Sequence, residues 1–501
     1  MENVIQGFLF ALHPQTLIFI IIGCAFGIVS GALPGISAAM GVILLLPFTF
    51  GMDGITAISM LVACFAASTW GGTITAVLFA TPGTPDSVMT VLDGYPLHQQ
   101  GKGGKALGLT ISASVIGGLL SGFLMLFLSV PLSRVGLAFS PVEYAAISLL
   151  GLTAIAGLGA GGSVLKTLIS GCLGIALATF GTCGITGVIR FGFGSTFFMS
   201  GIHFIPVMIG AFALSEVYTQ AMKERKVYDA SVTKNIKVEF MTFAEFMQYK
   251  GTIFRSAVIG MFIGILPGAG GTIASILAYG EAVRNSKTPE KFGTGMFEGV
   301  IAPETSNSAA SGGSMVPTMT LGVPGSGTTA VILGAFIMHG MRPGPLLFTT
   351  QPTILYSVFV ALIVSYLLLF VGGIWGVRAF AQVSRLNYYS QGSIIVALCF
   401  LGTFALNNDL SNVWVMVIAG FVGYILKKYG FSVPALVLGM VLGPLIEGGF
   451  RRGIIITGGN WLDVFLRPIA GPIFLLCLIF VFLPQLKKLF VKVAGKKSNA
   501  S

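Results

Sequence analysis

The sequence predicts an all-α polytopic membrane protein made of two homologous, inverted repeats with broken or re-entrant helices, in about 10–14 membrane segments. Three observations carry this reading. Of 501 residues 54% are hydrophobic and only 9% charged, against roughly 25% charged in an average soluble domain. Glycine is abundant, at 69 residues, as expected where helices pack closely or break inside protein. One set of Gly/Pro motifs occurs twice, in the same order.

Apolar stretches near residues 16–34, 54–70, 106–130, 142–158, 164–180, 197–218, 252–266, 352–375, 392–406, 412–426 and 468–484 are candidate spans. Segments 36–50, 72–93, 269–280, 308–323, 326–341 and 433–446 are apolar but short or interrupted by Gly and Pro, the pattern of broken helices. The N-terminus has no basic region and no cleavage site after a short apolar run, so the first helix is expected to be retained. The first 101 residues contain no Lys or Arg, whereas the polar stretch 223–255 and the tail from Lys487 are basic. Positive charge collects on the cytoplasmic side, which places the tail inside and the N-terminus outside. The chain divides into a first repeat half (1–222), a cytoplasmic connector (223–251), a second repeat half (252–486) and a basic cytoplasmic tail (487–501). The net charge of +11 lies in loops and tails rather than in a patch, so nucleic acid is excluded as a partner. The six cysteines form no C-x-x-C pair and read as small core residues.

The repeat is read from two motifs. Gly27, Gly31, Leu33, Pro34 and Gly35 match Gly260, Gly264, Leu266, Pro267 and Gly268. Farther on come Gly71-Gly72 and Gly312-Gly313, then Pro82-Gly83-Thr84 and Pro324-Gly325-Ser326. From one proline motif to the next there are 48 residues in the first copy and 57 in the second, a difference the polar connector 281–295 accommodates.

Small residues four apart let a neighbouring helix approach. A Pro-Gly that follows breaks the helix, because proline lacks an N–H and glycine takes conformations that other residues avoid. At membrane depth the freed N–H and C=O groups cost several kcal/mol each unless satisfied. A polar ligand satisfies them: resumed helix N-termini suit an anion, and opposite ends suit a cation. One GxxxG or Pro-Gly alone is packing or a kink; two matched sets point to a site. Candidate ligands are Pro34, Gly35 and Ser37; Pro82, Gly83 and Thr84; Gly268, Gly270 and Thr272; Glu304 and Asn307; and Pro324, Gly325, Ser326 and Thr328. Asp86 and Asp93 read as hairpin-tip or loop residues, and His203 and His339 as structural. The metal is left open and no cofactor is expected. No phosphate loop, H-E-x-x-H or G-x-S-x-G occurs, so the chain is not expected to be an enzyme.

At G-A-L-P-G-I-S (31–37), G-G-T-I-T-A-V-L-F-A-T-P-G-T-P (71–85), L-D-G-Y-P-L (92–97), I-L-P-G-A-G-G-T (265–272), F-G-T-G (292–295), A-P-E-T-S-N-S-A (302–309), T-L-G-V-P-G-S-G-T-T-A (320–330) and H-G-M-R-P-G-P (339–345), the sequence resembles the large membrane subunit of the tripartite tricarboxylate transporters, the TctA family. The resemblance implies a secondary active importer of citrate-like di- and tricarboxylates in a bacterial inner membrane. It implies coupling to an ion gradient, Na+ with H+ as the alternative. It also implies a small TctB-like membrane subunit and a TctC-like periplasmic solute-binding protein. Carried onto this chain, it places the site on the two kinds of break and on Glu304–Asn307. Pro85-Asp86 stands where the second copy has Gly327-Thr328, so the two tips are not chemically equivalent. The alternatives are an uncoupled anion channel and an intramembrane enzyme.

Overall fold

A computed structural model describes residues 2–33, 35–157, 163–222, 236–268, 270–383, 388–406 and 408–482. Helices dominate. In chain order they are α1 (Glu2–Ala11), α2 (Pro14–Ala32), α3 (Ala38–Leu45), α4 (Gly54–Phe79), α5 (Val88–Leu97), α6 (Gly103–Leu137), α7 (Pro141–Gly157) and α8 (Val164–Ala178). Then come the short antiparallel strands β1 (Gly181–Thr182) and β2 (Ile189–Arg190), followed by α9 (Thr196–Ser200), α10 (Phe204–Ile209), α11 (Ser215–Ala221), α12 (Phe243–Ile265), α13 (Gly270–Asn285), α14 (Phe297–Leu321) and α15 (Gly327–Met338). The remainder is α16 (Leu347–Thr350), α17 (Pro352–Val383), α18 (Tyr388–Ala405), α19 (Leu410–Lys428), α20 (Val433–Ile456), α21 (Trp461–Phe465) and α22 (Ala470–Phe482).

Among the described residues seven helices are long and apolar enough to cross a membrane: 14–32, 54–79, 85–137, 204–221, 352–378, 410–428 and 433–456. Shorter apolar helices include Ala38–Thr49 and Gly327–Met338. At about 1.5 Å per residue these two reach only partway through a core of about 30 Å.

Several boundaries differ from expectation. The segments 54–70 and the start of 72–93 are one helix, α4, which runs to Phe79 before it breaks. Segment 308–323 belongs to the 25-residue α14, which carries Pro303 and Pro317 inside it. Its polar first half hid it from a hydropathy reading. Segment 433–446 extends to Ile456 as α20. The helix read at 252–266 starts at Phe243, because Thr242 and Glu245 form a capping box that satisfies the first N–H groups. Lys223, Arg225, Lys226, Lys234 and the tail lysines lie outside the described residues.

Two compact units emerge. The first comprises 1–137, 205–266 and 270–424; the second comprises 138–204, 267–269 and 425–501. In the second, α20 packs on α7 and α8. Gly439 sits on the Gly171 carbonyl and Gly449 on that of Pro141, so even one Cβ would collide with backbone. Glu447 pairs with Arg190 and Arg451, and Glu143 with Arg467.

In the first unit the core pairs are α2 with α4 and α12 with α14, and α6 and α17 pack around them. The glycine faces explain the register. Gly27 and Gly31 lie on the carbonyls of Cys64 and Ser68; Gly260 and Gly264 lie on those of Ser306 and Ala310. The partner is thirty-seven positions on in the first copy and forty-six in the second, and this difference of nine equals the difference between the motif spacings. Gly71 approaches Ile28, and Gly313 approaches Met261. The packing therefore aligns Gly71 with Gly313, one position away from the alignment of the glycine doublets. The same backbone-to-backbone contact is thus built twice, driven by close van der Waals packing of small residues.

Candidate substrate and ion site

Each motif ends a helix as its chemistry dictates. α2 and α12 stop at Ala32 and Ile265, and the next residues, Leu33 and Leu266, are extended. Gly35 and Gly268 then take φ of 91° and 79°, which only glycine adopts freely. α4 and α14 end on left-handed residues, Ala80 and Gly322, and close with matching hydrogen bonds, Thr81 N to Thr75 O and Val323 N to Pro317 O, both 3.3 Å. After each break a hydroxyl pair recurs: Thr84 with Ser87 and Ser326 with Thr329, both at 3.2 Å.

The segments that follow the breaks cross between copies. α13, which follows the second L-P-G, packs on Pro85–Ser87, which follows the first P-G-T; α15, which follows P-G-S, packs on α3, which follows the first L-P-G. The N-termini of α13 and α15 also converge: Ser326 Cβ lies 3.7 Å from where a Cβ on Gly270 would stand. Ser326 caps α15 by accepting from Thr329 N, and Ser37 caps α3 by accepting from Met40 N. Gly270, Gly271, Thr272, Ser326 and Gly327 are all partly exposed, so the two positive helix ends meet at a partly exposed junction.

At that junction Thr272 donates its hydroxyl to Asp86 Oδ1 at 2.5 Å. Asn307, 1% exposed, donates from Nδ2 to Thr69 O at 3.4 Å, and its Oδ1 has no partner. The Thr69 carbonyl can only accept, which fixes the amide with its nitrogen toward Thr69 and its oxygen toward Gly271. A Cβ on Gly271 would collide with Asn307 Oδ1 and stand 3.3 Å from Asp86 Oδ2.

Glu304 is fully buried on α14. Its Oε1 accepts from Thr73 at 2.7 Å and from Thr90 at 2.5 Å, and its Oε2 accepts from Ser114 at 3.2 Å. Three helices, α4, α5 and α6, therefore supply one hydroxyl each. Among the described residues no Lys or Arg pairs with Glu304 or Asp86. Neighbouring hydroxyls on α14 return to their own helix, as Thr305 does to Ile301 O and Thr318 to Ser314 O. Ser306 and Ser308 remain without a partner.

The candidate residues fall into groups. Gly270, Thr272, Asn307 and Ser326 converge on the junction around Gly271. Gly83 and Gly325 are packing positions: a Cβ on Gly83 would collide with Gly31 O, and one on Gly325 would come within 2.7 Å of Gly264 O. Pro82 and Thr84 form the first tip; Pro324 is buried, and Thr328 lies in the first turn of α15. Gly35 lies beside Gln220 and Glu216. Gly268 belongs to the second unit, against Ile155. Pro34 lies outside the described residues.

Sequence reasoning undervalued Asp86 and Asp93. Asp93 is buried on α5: its Oδ1 accepts the backbone N–H groups of Gly293, Gly295 and Met296 at 2.9, 2.9 and 2.8 Å, and its Oδ2 accepts the Tyr279 hydroxyl at 2.9 Å. Thr73, Thr90 and Ser114 were missed altogether. Their only signal is a hydroxyl in an otherwise apolar, buried helix.

A family model described as the tripartite tricarboxylate transporter TctA family matches residues 17–438, which include both pairs of breaks and the Glu304–Asn307 stretch. The chain belongs to the TctA family. It is 32% identical over 499 residues to an uncharacterized 52.8 kDa protein of the TAR-I ttuC' 3' region of Agrobacterium vitis, covering 98% of this chain and 99% of that one. A second Agrobacterium vitis protein, an uncharacterized protein of the TAR-II ttuC' 3' region, is 34% identical over 231 residues, 46% of this chain and 96% of the relative. No solved structure matches. As a TctA-family chain it is a multi-pass membrane protein and a tricarboxylate-transporter subunit, which implies transport rather than catalysis.

Proposed function

We propose that this TctA-family chain is the translocating subunit of a secondary importer for small di- and tricarboxylates. The single observation that supports this most is the convergence of the α13 and α15 N-termini at a partly exposed, hydroxyl-lined junction where, among the described residues, no Lys or Arg pairs with Asp86 or Glu304. Two helix ends supply free N–H groups and positive dipole ends, which hold a carboxylate without the deep well that a buried Arg would create. A weak, reversible grip is what a transporter needs, since the solute must leave on the far side.

In this reading the two copies are inverted in the membrane, α3 and α15 are re-entrant, and one bundle moves against the other to alternate access. The N-terminus is periplasmic and the basic C-terminal tail cytoplasmic, in the inner membrane of a bacterium. A solute-binding protein delivers the carboxylate, a small membrane subunit completes the assembly, and a Na+ gradient drives uptake.

The test is reconstitution with both partners in vesicles under an inward Na+ gradient. Labelled citrate or another small carboxylate is expected to accumulate above its external concentration, and to leave when the gradient is collapsed with an ionophore. If no carboxylate carried by the binding protein ever accumulates, the reading is wrong. Equilibration without accumulation identifies a channel.

A further inference from the structure

We infer that Asp86, Thr272 and Asn307 form a single monovalent-cation site beside Gly271, built at only one of the two equivalent junctions. The oxygen inventory is suited to it. Asp86 supplies a carboxylate and Thr272 a hydroxyl already oriented on it at 2.5 Å. Asn307 supplies an amide oxygen that is almost fully buried and unpartnered, turned toward the same point by the Thr69 carbonyl. Gly271 keeps that point open, since a Cβ there would fill it. An orphaned buried acceptor is costly, and a cation removes the cost where a hydrogen-bond donor is missing.

The charge count selects the valence. Hard cations take oxygen ligands, and Ca2+ usually recruits several carboxylates. Here one carboxylate joins neutral oxygens, which balances one positive charge. Na+ is the ion of that class we assign. The repeat makes the site single: at the equivalent positions in the other junction stand Ala39, Phe65 and Thr328, for Thr272, Asn307 and Asp86 respectively. None of these three offers a carboxylate or an amide.

The position also provides a coupling device, and here the inference rests on the proposed importer. A carboxylate solute at the α13 N-terminus lies close to Asp86, and two like charges at a partly buried junction repel. A cation held by Asp86 turns that repulsion into attraction, so Na+ occupancy favours solute binding, and by linkage the solute favours Na+.

The experiment uses the purified full-length chain in detergent and radiolabelled Na+ alone, without solute or partner proteins. Wild type is expected to bind about one Na+ per chain, displaced by unlabelled Na+. Asp86→Asn, Asn307→Leu and Gly271→Ala are each expected to weaken binding by about tenfold or more. Gly271→Ala keeps every ligand and only fills the space, so its effect separates occlusion from lost charge. Elution as a single species of wild-type size in Na+-free buffer certifies that each variant is folded. No saturable binding by wild type, or wild-type binding by folded Asp86→Asn and Gly271→Ala, overturns the site. This outcome is independent of the importer reading, which fails instead if wild type binds Na+ but the full assembly accumulates no carboxylate.

Discussion

Thr272 on α13 donates its hydroxyl to Asp86 at the tip that follows the first P-G-T, joining the second copy of the repeat to the first through one 2.5 Å hydrogen bond. No counterpart exists at the other junction, where Ala39 and Thr328 occupy the matching positions. The scaffold is repeated, and its chemistry is not.

Glu304 should be a stability determinant as well as a candidate ligand. Glu304→Ala leaves Thr73, Thr90 and Ser114 without their shared acceptor in a dry interior, at a cost of about 3 kcal/mol. Glu304→Gln keeps one acceptor oxygen and should cost less. Thermal unfolding in detergent, with midpoints ordered wild type, Gln, Ala, checks this; equal midpoints for wild type and Ala would contradict the hydroxyl cage.

Asp93 should act as a local latch. It gathers three N–H groups from 293–296 and the Tyr279 hydroxyl, so Asp93→Ala releases the turn that leads into α14. Amide exchange at Gly293, Gly295 and Met296 is expected to speed by an order of magnitude or more, about 1.4 kcal/mol or above on the thermal scale of one decade per such step. Unchanged protection there would show that the carboxylate is not what holds the turn.

Glycines should separate into two behaviours. A Cβ on Gly31 collides with the Ser68 carbonyl, and one on Gly264 comes within 2.6 Å of the Ala310 carbonyl, so alanine at either position should cost about 1–3 kcal/mol through helix separation. Gly280 on α13 has nothing within 4 Å, and Gly280→Ala should be neutral or stabilise by up to about 1 kcal/mol. Unfolding midpoints of the three single variants distinguish the classes.

The polar mouth of α12 gives a pH prediction. Burial pushes the Glu245 carboxyl up, but hydrogen bonds from Lys105 and Thr242 outweigh it, and its pKa falls below the ordinary value of 4.5. A group depressed on folding contributes stability above its unfolded pKa and loses it as pH falls through the folded one. The difference in midpoint between wild type and Glu245→Gln should therefore be full at neutral pH and vanish in acid below the ordinary carboxylate range. A difference that persists at low pH would assign the effect to packing instead.

The paired breaks were legible in the sequence because Pro-Gly after small-residue spacing has few structural outcomes. Leu33 and Leu266 are extended, and Gly35 and Gly268 have positive φ, as that chemistry requires. The membrane class was legible in the charge count alone. The packing role of the glycine in each P-G-[TS] was not legible: Gly83 and Gly325 read as candidate ligands, and each also sits close against a carbonyl, that of Gly31 or of Gly264. A bulky residue at Gly325 should therefore disturb packing as well as transport. Asp86 and Asp93 read as hairpin-tip or loop residues because their donors, Thr272 and the 293–296 turn, are about two hundred positions away, and no local pattern announces so distant a partner. The α14 helix was read as interrupted because its polar residues depress hydropathy, although Thr305, Ser311, Ser314, Thr318 and Thr320 spend their hydrogen bonds on the preceding turn.

The thirty-seven and forty-six residue registers show that nine extra residues were absorbed without moving the helix-to-helix contacts of Gly27, Gly31 and Gly71, which recur at Gly260, Gly264 and Gly313. The two copies therefore share a frame and differ in side chains. Positions where backbone meets backbone are held together by geometry and tolerate almost nothing. Positions one turn away, such as Phe65 and Asn307 or Val62 and Glu304, are free to part company. A duplicated chassis of this kind lets one half carry charge while the other stays inert, on a frame that is the same in both.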